Sequence, residues 1–196
     1  MKKNTLLGLS ICLLTIVTSC TSTKQVVRVD DQKQVDLSGR WNDTDSRLVS
    51  EEMVKDGLSR VWLTDFIEAQ SKKPTVIVGI IKNKSSEHIN TETFIKDIER
   101  EFINSGRVRI VQGSEARDEL RTERADQQDF ASNATMKKWG REKGADFMLQ
   151  GTVNSITDAN TREKVVYYQV DLELTHIETN EKVWIGTKKI KKIIQK

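Results

Sequence analysis

Cys20 is the residue whose type and neighbours specify a covalent reaction. It follows Val17-Thr18-Ser19, and small residues just before a cysteine are what the lipoprotein signal peptidase accepts. The thiol supplies the chemistry, taking diacylglycerol as a thioether before the chain is cut at Cys20. Upstream lie Met1-Lys2-Lys3-Asn4, a short basic start, and Thr5 to Val17 (TLLGLSICLLTIV), an uncharged apolar run. A membrane-spanning helix needs about 20 apolar residues, so this shorter run reads as the h-region of a signal peptide over residues 1–19. The alternative is an ordinary secretory signal with an incidental cysteine. The other cysteine, Cys12, lies inside the segment to be removed. The mature domain is therefore expected to have no free thiol and no disulfide, and to fold on its core alone.

Other reactive constellations are missing. The two histidines, His88 and His176, have no ligand spacing around them to suggest a metal site. There is no Gly-rich phosphate loop and no Gly-x-Ser-x-Gly or Ser-x-x-Lys motif. Carboxylates are many but dispersed, and Glu115, Asp118, Glu119 and Glu123 read as a solvated helix face. Paired-acid glycan hydrolysis stays open on spacing alone, but no residue is nominated for it. The expectation is no enzyme, no cofactor, no metal and no small-molecule substrate.

Charge narrows the partners. The chain carries 32 Lys+Arg and 29 Asp+Glu. Removing Lys2 and Lys3 leaves a nearly neutral, densely charged mature chain, which argues against a nucleic-acid binder. The exception is the C-terminus, from Lys188 to Lys196 (KKIKKIIQK), with five lysines. These could face an anionic partner, but the favoured reading is an edge strand whose lysines discourage edge-to-edge pairing.

Residues 20–40 read as a lipidated N-terminus and short flexible tether, polar and without sustained period. Residues 41–196 read as one α/β domain. Leu48, Val49, Val54, Leu58, Trp62, Leu63, Phe66 and Ile67 recur at helical spacing and predict one long helix over about 46–70. Thr75 to Ile81 is a β-branched run, expected to be a strand buried on both faces. Residues 91–104 predict a helix turning Phe94, Ile95, Ile98, Phe102 and Ile103 inward and stopping at Gly106. A short strand at 108–111 would complete a parallel βαβ unit. Residues 114–128 predict an exposed helix held by i,i+4 pairs, and 133–144 a further short helix. Three strands, 146–156, 163–176 and 182–194, close the chain as a β-meander. The expected fold is a mixed four- to five-stranded sheet with helices packed on it.

The exposed segment of most interest is the loop after the first strand: Asn83, Lys84, Ser85, Ser86, Glu87, His88. Loops at the carboxyl ends of strands in open α/β sheets commonly bind ligands, so Asn83, Lys84, Ser85, Glu87 and His88 are candidate partner-binding residues. A plain solvated loop is the competing reading. Replacing Asn83, Lys84 and Glu87 together by alanine is expected to weaken partner binding with little stability change, as for a solvated loop. Trp41 and Trp139 are candidate interface anchors, with packing on the core as the alternative.

Several segments resemble one known family. Val35 to Asp45 (VDLSGRWNDTD), Ile80 to Ser85 (IIKNKS), Gly144 to Gly151 (GADFMLQG) and Glu178 to Gly186 (ETNEKVWIG) are similar, in order and spacing, to the LpoB-like activators of penicillin-binding proteins. The likeness covers about residues 35–190. It implies a fold like the TolB N-terminal domain. It also implies an outer-membrane lipoprotein facing the periplasm, whose partner is a bifunctional class A penicillin-binding protein that it stimulates allosterically. One departure is the tether: enterobacterial members carry a long disordered stretch before the domain. About 20 residues reach roughly 65–70 Å even when fully extended, at about 3.3–3.6 Å per residue. A second candidate function is an envelope assembly or secretion lipoprotein with a related α/β core, like the curli-pore lipoproteins. The absence of paired, long apolar insertions counts against it.

Overall fold

A computed structural model describes residues 25–30, 33–131 and 142–195. Residues 1–20, with Cys20, lie outside the described residues. So do Trp139 and most of the helix expected over 133–144. The chain divides into two units, Met1–Lys33 and Gln34–Lys196. In the first, residues 25–30 have no regular structure and are exposed. The second is an α/β unit.

Its elements are α1 (Asp43–Leu58), α2 (Val61–Gln70), β1 (Thr75–Asn83), α3 (Thr91–Ser105), β2 (Arg109–Ile110), α4 (Ser114–Phe130), β3 (Phe147–Ala159), β4 (Glu163–His176) and β5 (Lys182–Gln195). The five strands form one mixed sheet in the order β2-β1-β3-β4-β5. β1 runs parallel to β2 and to β3, while β3, β4 and β5 are antiparallel neighbours. The expected βαβ unit and closing meander are both present.

The sheet buries one face. Phe147, Leu149 and Val153 of β3 alternate with more exposed residues, as do Val166, Tyr168, Val170, Leu172 and Leu174 of β4. That period of two is what a half-buried antiparallel sheet requires. Against this face pack Val49, Met53 and Leu58 of α1, Trp62 and Leu63 of α2, and Phe94, Ile98 and Phe102 of α3. Phe147 sits at the aromatic centre, edge-on to Trp62, Phe66 and His176 at 4.9, 5.2 and 4.9 Å.

Three expectations change. The single helix over 46–70 is two helices. The Trp62 indole N–H donates to the Gly57 carbonyl at 2.8 Å. In a continuous helix that carbonyl would accept from the amide four residues on. Ser59 adds its own bonds to the Asp56 carbonyl, Arg60 turns extended (ψ 157°), and α2 starts afresh. Next, β1 is not buried on both faces. Its register with β3 shifts between Val78 and Ile81, a bulge that returns Ile81 to the core and leaves Ile80 67% exposed. Finally, α3 buries only the narrow stripe Phe94, Ile98 and Phe102, while Ile103 points outward. Its ends are as expected: the Asn90 side chain accepts from the Glu92 and Thr93 amides, and Gly106 adopts φ 62°.

α4 differs in how its charges pair. Glu142, beyond the helix, gathers Arg121 at 3.0 Å and Arg124 at 3.1 Å. These are exposed contacts, each worth about 0–1 kcal/mol.

The folded unit also begins earlier than composition suggests. Residues 34–42 form a strap on the domain. Asn42 caps α1: its side chain accepts the Asp45 amide, and the Asp45 carboxylate accepts the Asn42 amide. The Lys192 ammonium reaches Asp36 and Asp45, both at 2.7 Å, and the Arg40 carbonyl at 3.1 Å. Gly39 takes φ +66° and faces the Ile194 side chain, where a Cβ would lie 2.5 Å from two carbons.

Candidate functional site

The loop at the carboxyl end of β1 is tightly built. The Lys84 amide donates to the Val153 carbonyl at 2.8 Å, prolonging the pairing with β3, and the Ser86 amide donates to Ser155 Oγ. Asn83 organises the turn: its Oδ1 accepts from the Ser85 amide and hydroxyl at 2.9 and 2.7 Å, and its Nδ2 donates to the Glu87 carbonyl at 2.7 Å. An asparagine side chain doing this replaces a backbone turn bond. Buried Ile89 pins the far end of the loop.

Glu87 points inward. Its Oε1 accepts the Tyr168 hydroxyl at 2.8 Å, and its Oε2 accepts the Trp41 amide at 3.1 Å. Tyr168 is fully buried on β4, and burial, reinforced by the Glu87 carboxylate, pushes its phenol well above the usual tyrosine range. Trp41 is half-buried, edge-on to Tyr168 at 5.6 Å and to Phe94 at 6.0 Å, with its indole N–H donated to Ser46 Oγ at 2.8 Å. One carboxylate thus ties the loop to the strap and to the sheet.

The six candidates therefore separate. Glu87 and Trp41 hold the loop from behind, and Asn83 and Ser85 shape it. Lys84 and His88 are exposed and have no side-chain partner among the described residues. A fixed turn thus presents an ammonium and an imidazole outward, free for recognition. Among the described residues no group of three or more His, Cys, Asp or Glu is placed to hold a metal ion.

The inward role of Glu87 overturns the expectation that the Asn83, Lys84 and Glu87 triple substitution costs little stability. Glu87→Ala alone removes the acceptor of the Trp41 amide and leaves the Tyr168 hydroxyl only the long contact to the Gly39 carbonyl at 3.4 Å. A loss of about 1–3 kcal/mol is expected in urea unfolding, the cost of orphaning buried polar groups. Glu87→Gln keeps one acceptor oxygen and is expected to fall between.

Sequence reading missed the strap and its Lys192 cluster. The usable signal was parity: Trp184, Gly186, Lys188, Ile190, Lys192 and Ile194 alternate on one face of β5, which puts Lys188 and Lys192 on the helix-covered side. Lys188 pairs with Glu52 of α1. Burial draws the Lys192 ammonium down, but its bonds to Asp36 and Asp45 outweigh that and raise it. The Lys192 bond holds the Asp36 carboxyl at about 2, below the ordinary 3.8. Burial pushes Asp45 up, with Lys192 and the Asn42 amide restraining it.

The family model for the peptidoglycan-synthase activator LpoB matches residues 45–190. The chain belongs to the LpoB family. That stretch runs from the first turn of α1 to the middle of β5 and takes in the whole loop after β1. Among solved structures, the LpoB C-terminal domain from Escherichia coli is similar in fold at 14% identity and TM-score 0.46, covering 74% of this chain and 98% of that one. The LpoB C-terminal domain from Salmonella enterica gives 14% identity and TM-score 0.44 over the same shares. Lipoprotein GNA1162 from Neisseria meningitidis gives 15% identity and TM-score 0.39, over 61% of this chain and 83% of that one. No curated protein matches. The family is one of activators of peptidoglycan synthases rather than of enzymes.

Proposed function

We propose that this chain is an outer-membrane lipoprotein, anchored through Cys20 and facing the periplasm. It binds a bifunctional class A penicillin-binding protein and stimulates its glycan polymerisation and peptide cross-linking. Family membership over residues 45–190 carries the reading. The loop after β1 supports it by offering Lys84 and His88 outward on a turn fixed by Asn83 and Glu87. Activation is a population shift: the activator binds the synthase's active state better than its inactive state. A tenfold shift needs about 1.4 kcal/mol of differential affinity, by the usual relation between free energy and equilibrium constant.

The test is retention from detergent-solubilised envelopes on the affinity-tagged full chain, with mass spectrometry of what is bound. A bifunctional penicillin-binding protein is expected, and less of it with Lys84→Glu plus His88→Ala, while unfolding stability stays within about 0.5 kcal/mol, as for exposed positions. Undiminished retention by that variant moves the interface off the loop. Absence of any penicillin-binding protein sinks the reading. Separately, Cys20→Ala is expected to accumulate as unprocessed precursor without lipid label; normal labelling of that variant would refute the anchor.

A further inference from the structure

We propose that the free edge of β5, residues 185–193, receives an extended acidic segment of a partner protein by strand addition. β5 is the last strand of the sheet, paired to β4 on one side. Among the described residues no backbone hydrogen bond joins its other side to another element. Such an edge is a template for a further strand, with backbone bonds giving affinity and alternate side chains giving choice of partner.

The lysines of β5 sort by face. Lys188 is taken by Glu52, and Lys192 by Asp36 and Asp45, on the helix-covered side; Lys182 is taken by Glu173. Lys189 and Lys191 lie on the open face, exposed, with no acidic partner among the described residues. The neighbouring carboxylate on β4, Asp171, is already committed to Thr187 and Gln169. At the ends of the same face stand Ile185 and Ile193, 60% and 63% exposed. The open face of the edge thus reads apolar, Thr187, cation, cation, apolar. The strap meets β5 at the helix-facing side chains of Lys192 and Ile194, off this face. Beside the first half of the edge runs a groove lined by Glu52, Lys55, Asp56, Trp184 and Thr187, with room for the other side chains of an added strand.

The pattern selects its occupant. A second copy laid edge to edge sets lysine near lysine, which is repulsive across strands. A strand with acidic residues between apolar ends meets both lysines and covers both isoleucines. At about 3.4 Å per residue, roughly nine partner residues span the site. This edge is separate from the loop after β1 and does not depend on the synthase reading.

A capped palindromic peptide, Val-Thr-Glu-Thr-Glu-Thr-Glu-Thr-Val, fits either strand direction. Amide hydrogen exchange of the full chain in detergent at low salt is expected to slow over 182–195 with this peptide and not over β1 to β3. Lys189→Glu with Lys191→Glu is expected to weaken it at least tenfold. The peptide with lysine for glutamate should then bind that variant, which also shows that the variant is folded. No slowing at millimolar peptide, slowing confined to other elements, or equal slowing of the native chain by the lysine peptide would overturn the proposal.

Discussion

Lys192→Met is expected to lower unfolding stability by about 3 kcal/mol, the low end of the range for removing one partner of a buried ion pair. For a domain of this size that is a fall of roughly 6–12 °C in Tm. The Lys192 and Asp45 side chains keep only 12% and 7% of their exposure. Methionine refills the volume of the stem, so the loss reports the charge. The pH dependence identifies the cause. Asp36, held at about 2 against 3.8 unfolded, contributes stability that is present above about pH 4 and is lost as the pH falls toward 2. Without Lys192 that contribution goes. Asp45, already pushed up by burial, becomes a buried carboxylate without its cation and opposes folding increasingly as the pH rises above the ordinary 3.8. The deficit measured by urea unfolding is therefore expected to be larger at pH 7 than at about pH 4. A deficit independent of pH would mean that the stem, not the ammonium, matters. Lys188→Met, which frees only exposed Glu52, is expected to cost under about 0.5 kcal/mol.

Gly186→Val is expected to cost about 3 kcal/mol, the upper end of overpacking penalties. Trp184 and Gly186 alternate onto the same face of β5, and the indole lies across Gly186. A Cβ there would lie 2.2 Å from an indole carbon, so the ring must move. Its place is otherwise well fixed: it is 7% exposed, its N–H donates to Asp56 Oδ2 at 2.8 Å, and it rests against Gly57 of α1. The Trp184 bond is the main cause that holds the Asp56 carboxyl below its ordinary value. The double-mutant cycle decides the mechanism. With Trp184→Leu already present, Gly186→Val is expected to cost under half as much, since the ring it displaces is gone. Simple additivity would show that β5 backbone strain, rather than the indole, sets the cost.

Both sites lie on β5, a strand legible in the sequence although their contacts were not. Period two together with the turn residues between them places β4 and β5 to within a residue, while β3 runs past its expected end at 156 to Ala159, and Asn90 and Gly106 announce the ends of α3. The break between α1 and α2 was hidden, because apolar spacing runs on through Gly57 to Arg60 while the interruption is made by one indole bond from Trp62. The bulge in β1 was hidden for a like reason: Ile80 and Ile81 are equally apolar, and only pairing with β3 decides which turns inward. In the candidate site, the loop was found from its place after β1, but the direction of each side chain was not. Glu87 reads as one more solvated acid until Tyr168, 81 positions away, supplies a buried hydroxyl. Parity along β5 turns Lys192 toward the helices, but its partner Asp36 lies 156 positions away and no local pattern names it.

The strap has a practical consequence for dissecting this protein. A fragment begun at Trp41, where composition draws the boundary, would lack Asp36, the Arg40 carbonyl and Gly39. Lys192 would keep only Asp45, Ile194 would lose its cover, and Trp41 would become a charged chain end beside the Glu87 carboxylate. Such a fragment could still fold, yet its loop after β1 would be held by altered charges. Partner affinities measured on it would describe the cut as much as the interface. A fragment begun at or before Gln34 keeps every one of these contacts.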